Sequence, residues 1–359
     1  MLLRLEPRGH HSILWTYASP LVALALTLIA SALVFEILGR DPGLALYTFF
    51  IKPLVSPSSL PELLVKASPL ILIGTGLSLG FRANVWNIGA EGQYILGALA
   101  GGGLALWFYD STSPLLLPAM IIAGALGGMA WAAIPAFLRT HFNASEILTS
   151  LMLTYVAQFI LIYLVTGPWR DPEGYGFPQS RMFSDTATMP ILVSGTRMHL
   201  GVLIAFIVVF LGWGLLGKSL VGFQLKVVGQ APRAARYAGF SDKGLVWLAM
   251  LLGGGLAGAA GLFEVSGPVG QLTPQISPGY GFTAIIVAFL GRLHPVGVLF
   301  AGLLLALSYL GGDAAQIDLG LPSAVTNIFQ GILLFFLLGS DILILYRVRL
   351  GRRREQPAS

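Results

Sequence analysis

The stretch FRANVWNIGAEGQ, residues 81–93, sets Arg82, Asn84, Asn87, Glu91 and Gln93 between two long apolar segments. Only 10% of the chain is charged, so such a concentration is informative. A charge at the centre of a bilayer costs on the order of 2–3 kcal/mol, and polar side chains persist there where they line a path or face a partner. Gly89 and Gly92 in the same run point to broken or closely packed backbone, which lipid tolerates only under a cover of protein. The pattern implies a polar path through a membrane.

The rest of the composition agrees. Hydrophobic residues make up 55% of the chain and the mean hydropathy is +0.80, well above a soluble domain. Several apolar runs reach the ~20 residues that a spanning helix needs. The reading is an all-α polytopic membrane protein of about ten transmembrane helices, at 16–38, 61–80, 89–109, 115–137, 145–166, 199–217, 244–264, 280–291, 295–312 and 322–346. The eighth is too short to cross unaided and needs the irregular segment before it. An even number of crossings puts both termini on one side.

Charge says which side. Of the 21 Lys and Arg residues, Arg40, Lys52, Lys66, Arg170, Arg181 and Arg197 fall on one face and the other 15 on the opposite face. The positive-inside rule then makes both termini cytoplasmic. The +5 net charge therefore calls for no nucleic acid. Residues 1–15 read as a cytoplasmic N-terminus and 347–359 as a basic cytoplasmic tail, whose Arg352–Arg354 run anchors topology beside anionic lipid. The first apolar run is too long for a signal-peptide core and has no small-residue cleavage site, so it is expected to stay as a span. The whole of 1–359 reads as a single transmembrane domain, with 16–346 as the helical bundle.

Chemistry is sparse. No cysteine is present, which excludes disulfides and thiolate sites. His10, His11, His141, His199 and His294 are scattered, without metal-ligand spacing. No Ser/His, Asp/Asp or H-E-x-x-H pattern falls in the spans, so neither catalytic residues nor a metal site are expected.

The main external loop, 167–199, separates two halves of five spans each, and an odd number per half would give an inverted 5+5 repeat. A faint echo exists: GF-A at residues 80–83 and again at 281–284. Small residues cluster within spans, Gly97 with Gly101, Gly124 with Gly128, and Gly253–Gly255 with Gly258 and Gly261, a spacing that lets helices approach closely.

The longest cytoplasmic loop, 217–243, is basic and interrupted by glycines, with a piece at 232–237 that can start a helix on Pro232. Composition alone leaves docking to a partner and a solvated connector equally open. Gly212, Gly217, Lys218 and Ser219 satisfy the phosphate-loop pattern, but that loop needs a strand before it and a nucleotide-binding domain around it. Here an apolar span precedes it. The match is a decoy. Asn143-Ala144-Ser145 likewise matches a glycosylation acceptor on the wrong side of the membrane.

Three blocks, NIGAEGQ at 87–93, GFQLKVVGQAPRAARYAG at 222–239 and SPGYGFTAIIVAFLGRLHPVG at 277–297, resemble one family in the same order. It is the membrane permease of bacterial ABC importers in the branched-chain amino acid and simple-sugar group, with the closest likeness to the nucleoside branch served by basic-membrane-protein-type lipoproteins. The likeness runs from about Leu60 to Leu345. It implies a permease in the bacterial inner (plasma) membrane that carries a nucleoside or simple sugar. The implied partners are a second permease subunit, expected as a heterodimer, a cytoplasmic ATPase holding ATP and Mg, and an extracytoplasmic binding lipoprotein. No cofactor is implied for this chain. The likeness makes 217–243 a coupling loop, with Gly222, Phe223, Lys226, Gly229, Pro232, Arg233, Ala234, Ala235 and Gly239 in the element seated on the ATPase. NASEILTSLMLTY at 143–155 also resembles the family, except that Thr154 stands where its pattern has asparagine, a departure that bears on solute selectivity.

Amides in an apolar path suit hydroxyls and ring nitrogens better than a free ion. The candidates are Asn84, Asn87, Glu91 and Gln93 in the first half, and Glu264, Gln271, Tyr280, Phe282 and Thr283 in the second, with Tyr280 and Phe282 able to stack on a base. Structural hydrogen bonds between helices are the competing role for each. A secondary transporter would need acidic residues clustered at mid-membrane, and only Glu91 and Glu264, with Glu36 or Glu146, are at hand. It would also give the basic loop no role.

Overall fold

A computed structural model describes residues 2–7, 13–56 and 58–351; Arg8, His10, His11 and the Arg352–Arg354 run lie outside the described residues. Strand β1 (Leu2–Pro7) leads to α1 (Ile13–Ile37), α2 (Pro42–Leu46), a π-helical turn (Tyr47–Ile51), α3 (Lys52–Val55) and α4 (Ser59–Arg82). Then come α5 (Ala90–Trp107), α6 (Leu116–Phe142), α7 (Glu146–Thr166), α8 (Leu200–Lys218), α9 (Leu220–Gln230), α10 (Pro232–Tyr237) and α11 (Asp242–Glu264). A second π-helical turn (Val265–Val269) precedes α12 (Tyr280–Leu290), α13 (Pro295–Leu319), α14 (Ala324–Leu345) and β2 (Tyr346–Gly351).

Every predicted span is a helix, and 8 helices among the described residues are long and apolar enough to cross a bilayer. The short α12 is preceded by irregular chain, as its length requires. Helix α5 has 18 residues but is diluted by Glu91, Gln93 and six glycines and alanines in its middle, so length and hydropathy together do not single it out. The chain divides into two compact units, one formed by the described residues within Met1–Pro53 and Ser308–Ser359, the other by Leu54–Leu307.

In the first unit α1 packs along α14, and β1 pairs antiparallel with β2, Leu2 opposite Gly351. The two ends of the described chain therefore lie together. Phe49 is buried among Phe35, Phe50 and Phe329, with ring centroids 5.0–6.2 Å apart. Helix α13 runs past the expected end at residue 312 to Leu319. Gly311 permits this, because a Cβ there would lie 1.9 Å from the Phe49 carbonyl oxygen, and Asp318 in the last turn pairs with Lys52.

The second unit is organised around α4, whose apolar window is 89% buried against 22% for α7. Helix α11 packs on α4, α5 and α6, while α5 also meets α6, α7 and α12. The predicted glycine clusters are where these helices touch. A Cβ on Gly97 would lie 2.1 Å from Gly258 Cα, one on Gly128 2.1 Å from the Gly254 oxygen, and one on Gly261 2.0 Å from the Tyr94 oxygen. The GF-A echo does not mark equivalent places: Gly80 lies in the last turn of α4, Gly281 in the first turn of α12.

Candidate functional site

The polar stretch that opened the sequence folds as an extended connector. Helix α4 ends at Arg82, and Asn84 takes a left-handed φ of 57°. Residues 85–88 then run without helix to Gly89, the N-cap of α5. An extended strand inside a bundle must find partners for its backbone. Trp86 N–H donates to Glu146 Oε1 at 3.2 Å, Ile88 N–H to Ser150 Oγ at 3.2 Å, and Gly89 N–H to Asn87 Oδ1 at 3.1 Å. Gly89 is obligatory: a Cβ would lie 2.6 Å from the Ser150 carbonyl oxygen. Sequence reasoning missed Glu146 and Ser150 as supports of this connector, although their four-residue spacing on one face of α7 was the available signal.

The named candidates divide into three groups. Asn84 is exposed at the end of the unit where α9 and α10 lie; its Oδ1 accepts from Trp86 Nε1 at 2.8 Å and its backbone oxygen faces Arg139. Asn87, Glu91 and Gln93 are buried in the unit with Tyr280 and Thr283. Tyr280 meets Tyr94 edge-on at 6.2 Å, and Glu91 Oε2 accepts from Gly281 N–H at 2.6 Å. Phe282 lies on the other face of α12 and is 38% exposed, so it and Tyr280 do not form one stacking platform.

The third group sits at the opposite end. Gln271 Nε2 donates to Gln179 Oε1 at 3.3 Å, within an external loop that folds back on the 270–279 segment. Ser180 and Phe183 N–H groups donate to the Leu272 and Gly270 oxygens, at 2.9 and 2.8 Å. Glu264 lies within electrostatic reach of Lys66, Arg197 and Glu62, and Arg197 Nε donates to Glu62 Oε1 at 2.9 Å. The segment is also held from α7, where Gln158 Nε2 donates to the Pro274 oxygen at 2.9 Å.

The basic loop is a pair of helices. Ser219 caps α9, its Oγ accepting from Gly222 N–H at 3.1 Å, and Pro232 opens α10 at the predicted position. The phosphate-loop pattern is helical up to Lys218, so no anion cradle forms there. Leu225 and Ala235 are fully buried and fasten the pair to the unit. Phe223, Lys226, Pro232, Arg233, Ala234 and Tyr237 are exposed, Tyr237 to 98%. Gly222 and Gly229 are contact points: a Cβ would lie 2.3 Å from the Leu215 oxygen in one case and 2.0 Å from the Arg82 oxygen in the other. Gly239 has a φ of 78° and closes α10. Beside the pair lies an open cavity of about 640 Å³, lined by Asn84, Arg139, His141, Gly229, Arg236 and Lys243 among others. Arg82 Nε reaches across to the Leu293 oxygen at 2.9 Å, joining α4 to the turn after α12.

The family model described as the permease component of the branched-chain amino acid transport system matches residues 59–338. The glucose ABC transporter permease protein TsgB13 of Haloferax volcanii is 38% identical over 369 residues, covering 99% of this chain and 97% of that protein. The nucleoside ABC transporter permease protein NupB of Lactococcus lactis subsp. cremoris is 29% identical, with 89% of each chain covered. The guanosine ABC transporter permease protein NupP of Bacillus subtilis is 30% identical, over 89% of this chain and 92% of that one.

Proposed function

This chain belongs to the family of branched-chain amino acid transport system permease components, and from that membership we propose that it forms the path of an importer for a neutral, hydroxyl-rich solute, a nucleoside or a simple sugar. It is a transport subunit, and ATP hydrolysis resides in a separate subunit. The observation that carries the reading is the α9–α10 pair. Its interior is anchored by Leu225 and Ala235, while Phe223, edge-on to Phe240, and Arg233 and Tyr237 are displayed outward and exposed. Exposed aromatic and arginine side chains on a rigid base suit a protein partner.

In this reading α9 and α10 face the cytoplasm and seat on the ATPase, which holds the ATP and Mg. A second permease subunit, of different sequence, completes the path in the plasma membrane, and an extracytoplasmic binding protein delivers solute at the Arg197–Glu62 end. The 15-to-6 division of basic residues supports that orientation. Relatives named for glucose and for nucleosides support both solute classes, and sugar hydroxyls are common to glucose and to the ribose of a nucleoside.

The test is uptake into proteoliposomes holding the whole system, with guanosine and glucose offered in parallel. ATP-dependent uptake of either solute that needs the binding protein supports the reading and selects the class. Uptake by this chain alone, abolished by an ionophore, overturns it.

A further inference from the structure

Two helices begin inside the same bundle with their first turns in contact. Helix α5 starts at Ala90 and α12 at Tyr280, and a Cβ on Gly281 would lie 2.2 Å from the Glu91 nitrogen. Their N-caps are Gly89 and Gly279, which offer no side-chain acceptor. The unsatisfied N–H groups and positive dipole ends of both helices therefore converge. Glu91 supplies the missing acceptor. Its Oε2 takes the Gly281 N–H at 2.6 Å, with Ser277 close to the same carboxyl group. Ser277 Oγ in turn accepts from the N–H groups of Gly279 and Tyr280, at 3.1 and 3.0 Å. One turn along α5, Tyr94 Oη donates to the Ile276 oxygen at 3.2 Å.

Helix α12 is also bounded by unusual backbone. Gly270 and Gly279 have φ of 75° and 97° before it, and Arg292 and Leu293 have φ of 56° and 54° after it. A short helix between two such joints can turn as one body when its fastening is released. We propose that Glu91 is a positioning residue, the latch that fastens the start of α12 to α5, and that opening and re-forming this latch gates the solute path. The carboxylate is engaged by the protein and does not bind the solute. This rests on the permease reading above.

The experiment uses the whole transporter in proteoliposomes. Because the chain has no cysteine, Ile276→Cys gives it a unique thiol at a position now 3% exposed. Glu91→Ala removes the acceptor of the Gly281 N–H, and Glu91→Gln keeps an oxygen for it. With Glu91→Ala, maximal uptake should fall about tenfold or more with KM unchanged, as loss of a buried hydrogen bond implies. Maleimide labelling at Ile276→Cys should quicken, and Glu91→Gln should restore most of both. Ser277→Ala should shift both readouts in the same direction by less, which keeps the test decisive if Glu91→Ala does not assemble. A rise in KM with maximal uptake unchanged would make Glu91 a solute ligand and overturn the latch. So would labelling that is indifferent to Glu91→Ala and Ser277→Ala. Absence of ATP-driven uptake by the unaltered system defeats the permease reading instead, and labelling then decides the latch alone.

Discussion

The Asn87 and Gln93 amides close on each other: Asn87 Nδ2 donates to Gln93 Oε1 at 2.8 Å, and Gln93 Nε2 donates to Asn87 Oδ1 at 3.0 Å, both residues being buried. The pair ties the extended connector to the first turn of α5. Replacing either residue by alanine strands the other amide, which costs about 1–3 kcal/mol. Replacing both removes the stranded group as well, so the double variant should lose less than the two singles summed. A double-mutant cycle on thermal unfolding in detergent measures this. Strict additivity would show that the two amides do not depend on each other.

The contact of α5 with α11 leaves no room for a side chain. A Cβ on Gly97 would lie 2.1 Å from Gly258 Cα, backbone against backbone, where no rotamer change can relieve it. Gly97→Ala should therefore destabilise by about 1–3 kcal/mol or more. Gly214→Ala, also within a membrane helix but with nothing within 4 Å of its Cβ, should be neutral or slightly stabilising. Comparing their melting temperatures in detergent checks the difference. Equal behaviour would mean that the helices can part at Gly97 without penalty.

How much of this was legible follows from the range of the interactions involved. Hydropathy marks the spans because each helix answers locally to lipid. Pro232 marks the start of α10 for the same local reason. The segment from Pro42 to Val55 was not legible, since two prolines and Lys52 interrupt its apolar run and its helix depends on packing. The extension of α13 past Gly311 and Gly312 brings Asp318 to Lys52, 266 residues away in sequence. The candidate site was legible as a set of polar residues and illegible as a set of pairs. Nothing near Glu91 announces that its partner is the Gly281 backbone, 190 residues further on. Nor does composition say that Tyr280 turns inward while Phe282 turns out.

Within the α9–α10 pair, neighbouring residues have opposite exposure, and substitutions should separate accordingly. Ala235 is fully buried, so Ala235→Glu forces a charge into the base of the pair and should reduce folded protein in the membrane. Tyr237 and Arg233 are exposed, so Tyr237→Ala with Arg233→Glu should leave folding within about 0.5 kcal/mol of the parent. The same pair of changes should cut ATP-driven uptake and weaken co-purification of the ATPase. Unchanged uptake would remove this surface from the coupling path.

A path from that surface into the membrane helices runs through one backbone contact. Gly229 in the last turn of α9 lies against the end of α4, so that a Cβ would stand 2.0 Å from the Arg82 carbonyl oxygen. Arg82 in turn donates from Nε to the Leu293 oxygen at 2.9 Å, in the left-handed turn that follows α12. Motion of α9 imposed by an ATPase would thus reach α4 through a backbone contact and the base of α12 through the Arg82 side chain. Gly229→Ala should lift α9 from α4 and break this relay. The expected result is ATP hydrolysis that no longer rises with solute-loaded binding protein, together with lost uptake, while membrane insertion is retained. Gly217→Ala, a nearby change with open space around its Cβ, serves as the control and should couple normally. If Gly229→Ala also couples normally, the signal crosses elsewhere, and the buried faces of Leu225 and Ala235 become the next contacts to examine.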